Sequence, residues 1–155
     1  MLPVTIEVPP TAPLSVGSTS TVLRTRLDIA RAIDPRDSDR IRILPNRAMS
    51  AVFEGMEAAG FRLVDAEVEY NPRRAMPFVQ EFDFKPVSFN DFGIEEVEIS
   101  FSPAQDGIDV MLTVDNRGGL FTAGRERAAR FRVGDADAGR GNMATELRRA
   151  IESLR

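Results

Sequence analysis

Cysteine, histidine and tryptophan are all absent from the 155-residue sequence, and tyrosine occurs once. Without cysteine the chain can form neither a disulfide nor a thiolate metal site, which agrees with a reducing cytoplasm. Without histidine it lacks the usual general base near neutral pH, the commonest metal ligand, and the Ser-His and Cys-His nucleophile pairs. Lysine is almost missing too, since Lys85 is the single lysine among 20 cationic residues. No apolar run approaches the length that crosses a bilayer, and the N-terminus MLPVTIEVPP carries neither the charged nor the apolar region of a signal peptide. The expected location is therefore cytoplasmic, with no cofactor.

What is present belongs to a folded chain. Hydrophobic residues make up 43% and charged residues 28%, too apolar for disorder and long enough for one domain with a real core. A net charge of −4 argues against nucleic acid and against an anionic membrane surface as partners, because polyanions repel such a chain on average.

Hydrophobic periodicity then divides the sequence. Val4, Ile6 and Val8 alternate with Thr5 and Glu7, predicting a short strand over Pro3–Val8 that Pro9, Pro10 and Pro13 end. Thr19–Ile33 is rich in β-branched residues and reads as a second strand, although Leu27–Ile33 also fits a helical turn. Asp34 to Asp39 has turn composition, and Ile41–Leu44 reads as a short strand closed by Pro45. The clearest helix begins at the N-cap Asn46, places Met49, Val52, Phe53 and Met56 on one face, and stops at Gly60.

Phe61–Tyr70 alternates in two phases, which predicts a β-bulge near Val64 and Asp65. Phe78, Phe82 and Phe84 share a strand face, with Gln80 its odd polar member. Val97, Ile99 and Phe101, then Ile108, Val110, Leu112 and Val114, flank Asp106-Gly107 and predict a hairpin with those seven residues inward. Arg117–Phe121 reads as an irregular turn, Ala129–Val133 as a last strand, and Asn142 onward as an amphipathic helix. About seven strands with one inserted helix and one tail helix argue for a mainly β fold, a β-sandwich.

Chemistry-bearing clusters are few, and each has a plain reading beside the sharper one. Asp34, Asp37 and Asp39 lack the glycine and distal glutamate of a calcium loop and read as a solvated turn. Glu95, Glu96, Glu98, Asp106 and Asp109 could supply an acid and a base to a carboxylate-dependent hydrolase. Glu96 and Glu98, however, alternate with core residues and so mark the wet face of a strand. Gly118-Gly119 lacks the context of a phosphate loop, and Met49 and Met56 fit core packing better than a partner groove.

Arg125, Arg127, Arg130 and Arg132 are candidate partner contacts, because Arg130 and Arg132 share one face of an extended chain and could hold a carboxylate or phosphate. Pairing with local acids such as Asp135 and Asp137 is the plainer reading. A membrane-surface adaptor working through this stretch is the rival it raises.

Four segments, read in order, resemble the bacterial sporulation-control protein family SpoOM: Leu27 to Asp34, Gly60 to Leu63, Pro77-Phe-Val-Gln-Glu-Phe-Asp-Phe84 and Arg117-Gly-Gly-Leu-Phe121. The resemblance runs from about Ile6 to Val133. It implies an arrestin-like (immunoglobulin-like) β-sandwich and a regulatory, non-catalytic, protein-binding role, with no catalytic residues and no metal. On this reading residues 1–155 form a single arrestin-like domain, residues 1–33 resemble the last strands of the family's N-terminal domain, and 141–155 form a helical tail. Strands that would pair with that preceding domain leave an open edge, so a homodimer is expected, by edge pairing or by exchange of the N-terminal segment. The identity of the protein partner is not legible in the residues.

Overall fold

The computed structural model describes residues 3, 5–26, 36–70, 72–73, 77–88, 93–116 and 126–154. Strands β1 (Thr21–Arg26) and β2 (Arg36–Ile41) come first, followed by helix α1 (Arg47–Ala58). Strands β3 (Phe61–Tyr70), β4 (Phe78–Pro86), β5 (Ile94–Ala104), β6 (Gly107–Asn116) and β7 (Glu126–Gly134) follow. A short 3₁₀ helix at Asp137–Gly139 leads into α2 (Met143–Ser153). Strands β3 to β7 form one antiparallel sheet in chain order, and β1 with β2 forms a separate two-stranded sheet.

Alternation fixes which face of the large sheet is buried. Phe84 lies opposite Val97, Phe82 opposite Ile99, Ile99 opposite Leu112, and Val110 opposite Phe131. These side chains share one face, and all but the half-buried Phe131 are at most 1% exposed. Helix α1 lays Val52 and Met56 on that core, with Phe53 edge-on to Phe82 and Phe101 at 5.1 and 5.5 Å between ring centres. Burying such side chains is worth about 1.5–3 kcal/mol each, so this apolar layer dominates the stability. Helix α2 adds Met143, Leu147 and Ile151, and Arg148 donates to the Ala59 carbonyl at 3.0 Å, closing the end of α1.

Most of the expected elements are present. Asn46 Oδ1 accepts from the Met49 N–H at 2.9 Å, and Gly60 follows the helix with φ +92°. The β3–β4 register shifts between Leu63 and Asp65, where the phase slip places a bulge. The seven inward residues of the β5–β6 hairpin all face the core, Phe101 partly exposed.

The N-terminal third departs from expectation. Pro3 and Thr5–Val8 are exposed and outside any strand; alternation supplies an apolar face, but among the described residues no neighbouring strand offers a ladder. The second strand is only Thr21–Arg26, and Leu27–Asp34 lies outside the described residues. Asp37-Ser38-Asp39 is the middle of β2 and not a turn, because pairing with Thr25, Arg24 and Leu23 overrides its turn composition. Of Ile41–Leu44 only Ile41 is in a strand. Ile43 instead accepts from the Ser15 N–H at 2.8 Å and donates to Ser15 Oγ at 2.9 Å, so a side-chain oxygen stands where a ladder carbonyl would. Arg117–Phe121 and the Gly118-Gly119 pair also lie outside the described residues.

Candidate interaction surfaces

The arginine-rich strand is β7, an edge of the large sheet, hydrogen-bonded to β6 on one flank. Arg130 is opposite Met111 and Arg132 opposite Asp109, on the outer face, whereas Arg127 is opposite the buried Val114 and belongs to the other side. Arg125 lies outside the described residues. Of the three described arginines the structure therefore brings two together, Arg130 and Arg132.

Both reach Asp109 and neither pairs with Asp135 or Asp137. Arg132 donates from Nε to Oδ1 at 2.9 Å and from Nη2 to Oδ2 at 3.4 Å, and Arg130 donates to Oδ2 at 3.3 Å. The Arg132 hydrogen bond holds the Asp109 carboxyl below its ordinary value and raises the guanidinium of Arg132 in return. Asp137 pairs with Arg140 at 2.9 Å. The two arginines thus form an oriented edge feature whose charge Asp109 partly offsets, which weakens the case for a lipid-binding stripe.

The acidic residues also regroup. Asp109 goes to the arginines and Asp106 to the hairpin turn, while Glu96 and Glu98 meet Asp83, the carboxylate oxygens of all three within 4.8 Å of one another. Asp83 alternates with Phe82 and Phe84, so its outward direction was legible, but its neighbours depended on β4 pairing with β5. Like charges face each other across strands at Asp65–Asp83, Glu67–Glu81, Asp83–Glu98 and Glu96–Asp115. Lys85 answers one of them, Glu96, at 3.1 Å. This is an open sheet face, not a cleft that could hold a sugar between an acid and a base.

Burial raises the carboxyl pKa of Asp83, and Glu96, Asp65, Glu67 and Glu81 push it the same way. A raised carboxylate pKa opposes folding while the group is ionised and stops doing so once it is protonated. Asp83→Asn is therefore expected to raise the melting temperature at pH 7 by about 1–3 °C, corresponding to roughly 0.5–1 kcal/mol of relieved repulsion. The gain should shrink as the pH falls and vanish below 3.8, the ordinary aspartate value. Melting curves from pH 7 to 3 check this, and a variant no more stable than wild type at neutral pH would contradict it.

Toward the other side of the sheet, on β4, Gln80 resolves its oddity. Its side-chain amide takes the Leu14 N–H at 2.7 Å and gives to the Leu14 carbonyl at 3.0 Å, clamping the N-terminal segment to β4. Beyond that clamp an open groove of about 600 Å³ runs between Ser18–Thr21 and β3, with Val68 and Phe78 in its wall.

Two sheets, a buried inner face, an inserted helix and a C-terminal helix define a mainly β, arrestin-like β-sandwich module. The chain belongs to the SpoOM protein family, whose model matches residues 1–118. It is 37% identical over 118 residues to the sporulation-control protein spo0M of Bacillus subtilis (strain 168), a match covering 74% of this chain and 46% of that protein. The crystal structure of Spo0M from Bacillus subtilis superposes with a TM-score of 0.80 at 30% identity, over 97% of this chain and 66% of that one. The chain thus spans about half the length of the curated relative it matches. Among the described residues no helix is long and apolar enough to cross a membrane.

Proposed function

We propose that the chain is a non-catalytic regulatory module of sporulation control, working in the cytoplasm by adding a strand of a protein partner to the edge of β7. The observation that carries this is the position of the arginine cluster on a terminal strand: β7 is hydrogen-bonded to β6 on one flank, and no described strand pairs with its other flank. An edge with open N–H and C=O groups is a template for an incoming strand, and its flanking side chains select the partner. Arg127, Arg130 and Arg132, all exposed along this edge, favour a partner segment with acidic side chains. The regulatory role rests on family membership and on the name of the Bacillus subtilis relative.

Affinity capture from the native host with mass-spectrometric identification would supply the partner, and amide hydrogen exchange on the purified complex would place it. Slowed exchange across Glu126–Gly134 is the expected result. Protection confined to other elements, with β7 unchanged, would overturn the edge reading.

A further inference from the structure

Among the described residues the β1–β2 hairpin has no third strand: its two strands pair only with each other, and a bare two-stranded hairpin is marginal in water unless a face is covered. Its register separates the side chains unequally. Thr21, Leu23 and Ile41, half-buried, share a face with Asp37 and Asp39. The opposite face carries Val22, Arg24, Arg26, Arg36, Ser38 and Arg40, every one exposed. That face has four guanidinium groups and no carboxylate. Among the described residues no acid is ion-paired to Arg24, Arg36 or Arg40. The arginine face is thus the more exposed of the two.

The outer face of the large sheet has the complementary charge. Asp65 and Glu67 on β3, Glu81 and Asp83 on β4, and Glu96 and Glu98 on β5 crowd together across strands, with Arg62 and Lys85 at one end. Both surfaces are pleated sheets and share one lattice, with side chains roughly 6.8 Å apart along a strand and roughly 4.8 Å apart across strands. Arginines set on the first lattice are therefore spaced to meet carboxylates set on the second, and an arriving guanidinium relieves repulsions the isolated chain must carry.

We propose that the arginine face of the β1–β2 hairpin docks on the carboxylate face of β3, β4 and β5 in a second copy of this chain, sheet against sheet. The contact joins two different patches, so copies add head to tail and do not close as a two-fold pair. Exposed charges carry it, so it weakens with salt. It is independent of strand addition at β7, which uses backbone groups along an edge and leaves both faces uncovered.

Sedimentation velocity on the full chain, across a concentration series at low and high salt, tests the proposal. Mass should rise with concentration at low salt and fall toward the monomer at high salt. Arg24→Glu/Arg40→Glu and Glu67→Arg/Glu98→Arg should each associate about tenfold more weakly, or not at all, when studied alone. Mixed together they should associate again, because each reversed face then meets its opposite. Circular dichroism and melting on each variant confirm folding, and all four positions are exposed. A chain that is monomeric under all conditions, association indifferent to either reversal, or a mixture that stays monomeric overturns the proposal. So does an arginine face that binds phosphatidylserine vesicles while the chain itself does not associate.

Discussion

Val110→Asp is expected to abolish the folded, soluble state. Val110 is fully buried in β6, opposite Phe101 of β5 and Phe131 of β7, so a carboxylate there has packed apolar neighbours and no cation. An unpaired buried acid costs several kcal/mol, of the order of a domain's whole stability of about 5–15 kcal/mol. The adjacent residue supplies the control. Met111 is 41% exposed and lies on the outer face opposite Arg130, so Met111→Asp should change stability by only about 0.5 kcal/mol. Expression, solubility and melting of the two variants separate the faces with one residue of displacement. A soluble Val110→Asp protein with an unchanged melting temperature would show that the assigned face is wrong.

The same parity explains which parts of the fold were legible in the residues. From Asn46 onward each element has one apolar face and a boundary with its own chemistry, such as the Asn46 cap, the Gly60 stop and the Asp106-Gly107 turn. Local pattern and tertiary packing agree there, and among the described elements expectation and structure agree with them, apart from Phe78, which shares the aromatic face yet is 51% exposed. Before Asn46 they part. Ile6 and Val8 alternate as in a strand yet stay 53% and 48% exposed, because alternation describes a face and is silent about whether a neighbouring strand exists. β2 shows the reverse: Asp37-Ser38-Asp39 has the composition of a turn, and cross-strand partners in β1 hold it extended.

Side-chain direction was therefore readable, and side-chain company was not. Two-residue spacing puts Arg130 and Arg132 on one face, but their common acid, Asp109, emerges only from the β6–β7 register. Asp83 was overlooked for the same reason, since its acidic neighbours come from β3 and β5. Gln80 was visible as an exception on an aromatic face, and that exception marked a real constraint: its amide accepts from the Leu14 N–H, which a phenylalanine would leave unpaired, and gives to the Leu14 carbonyl, which Val16 N–H also reaches.

The second large effect is expected at Gly107. The turn puts Asp106 at φ +58° and brings Gly107 into the strand at φ +156°. There a Cβ would sit 2.1 Å from the Val133 carbonyl oxygen and 2.8 Å from the Gly134 Cα. Gly107 and Gly134 face each other at the closing pair of β6 and β7, and Asp135 N–H donates to the Asp106 carbonyl at 3.0 Å. The obstacles are backbone atoms, so no rotamer change makes room, and even a methyl group must push the end of β7 away together with the buried Val133. Gly107→Ala should cost about 2–4 kcal/mol, lowering the melting temperature by roughly 5–15 °C. Gly141 separates this close approach from backbone strain alone, having φ +69° and nothing within 4 Å of an added Cβ. Gly141→Ala should cost about 1–2 kcal/mol, the left-handed penalty of an L-residue. Melting both variants, with hydrogen exchange at Val133 and Gly134, decides the matter: equal losses in the two would mean that the β6–β7 approach tolerates a side chain, and the close packing of that corner would have to be abandoned.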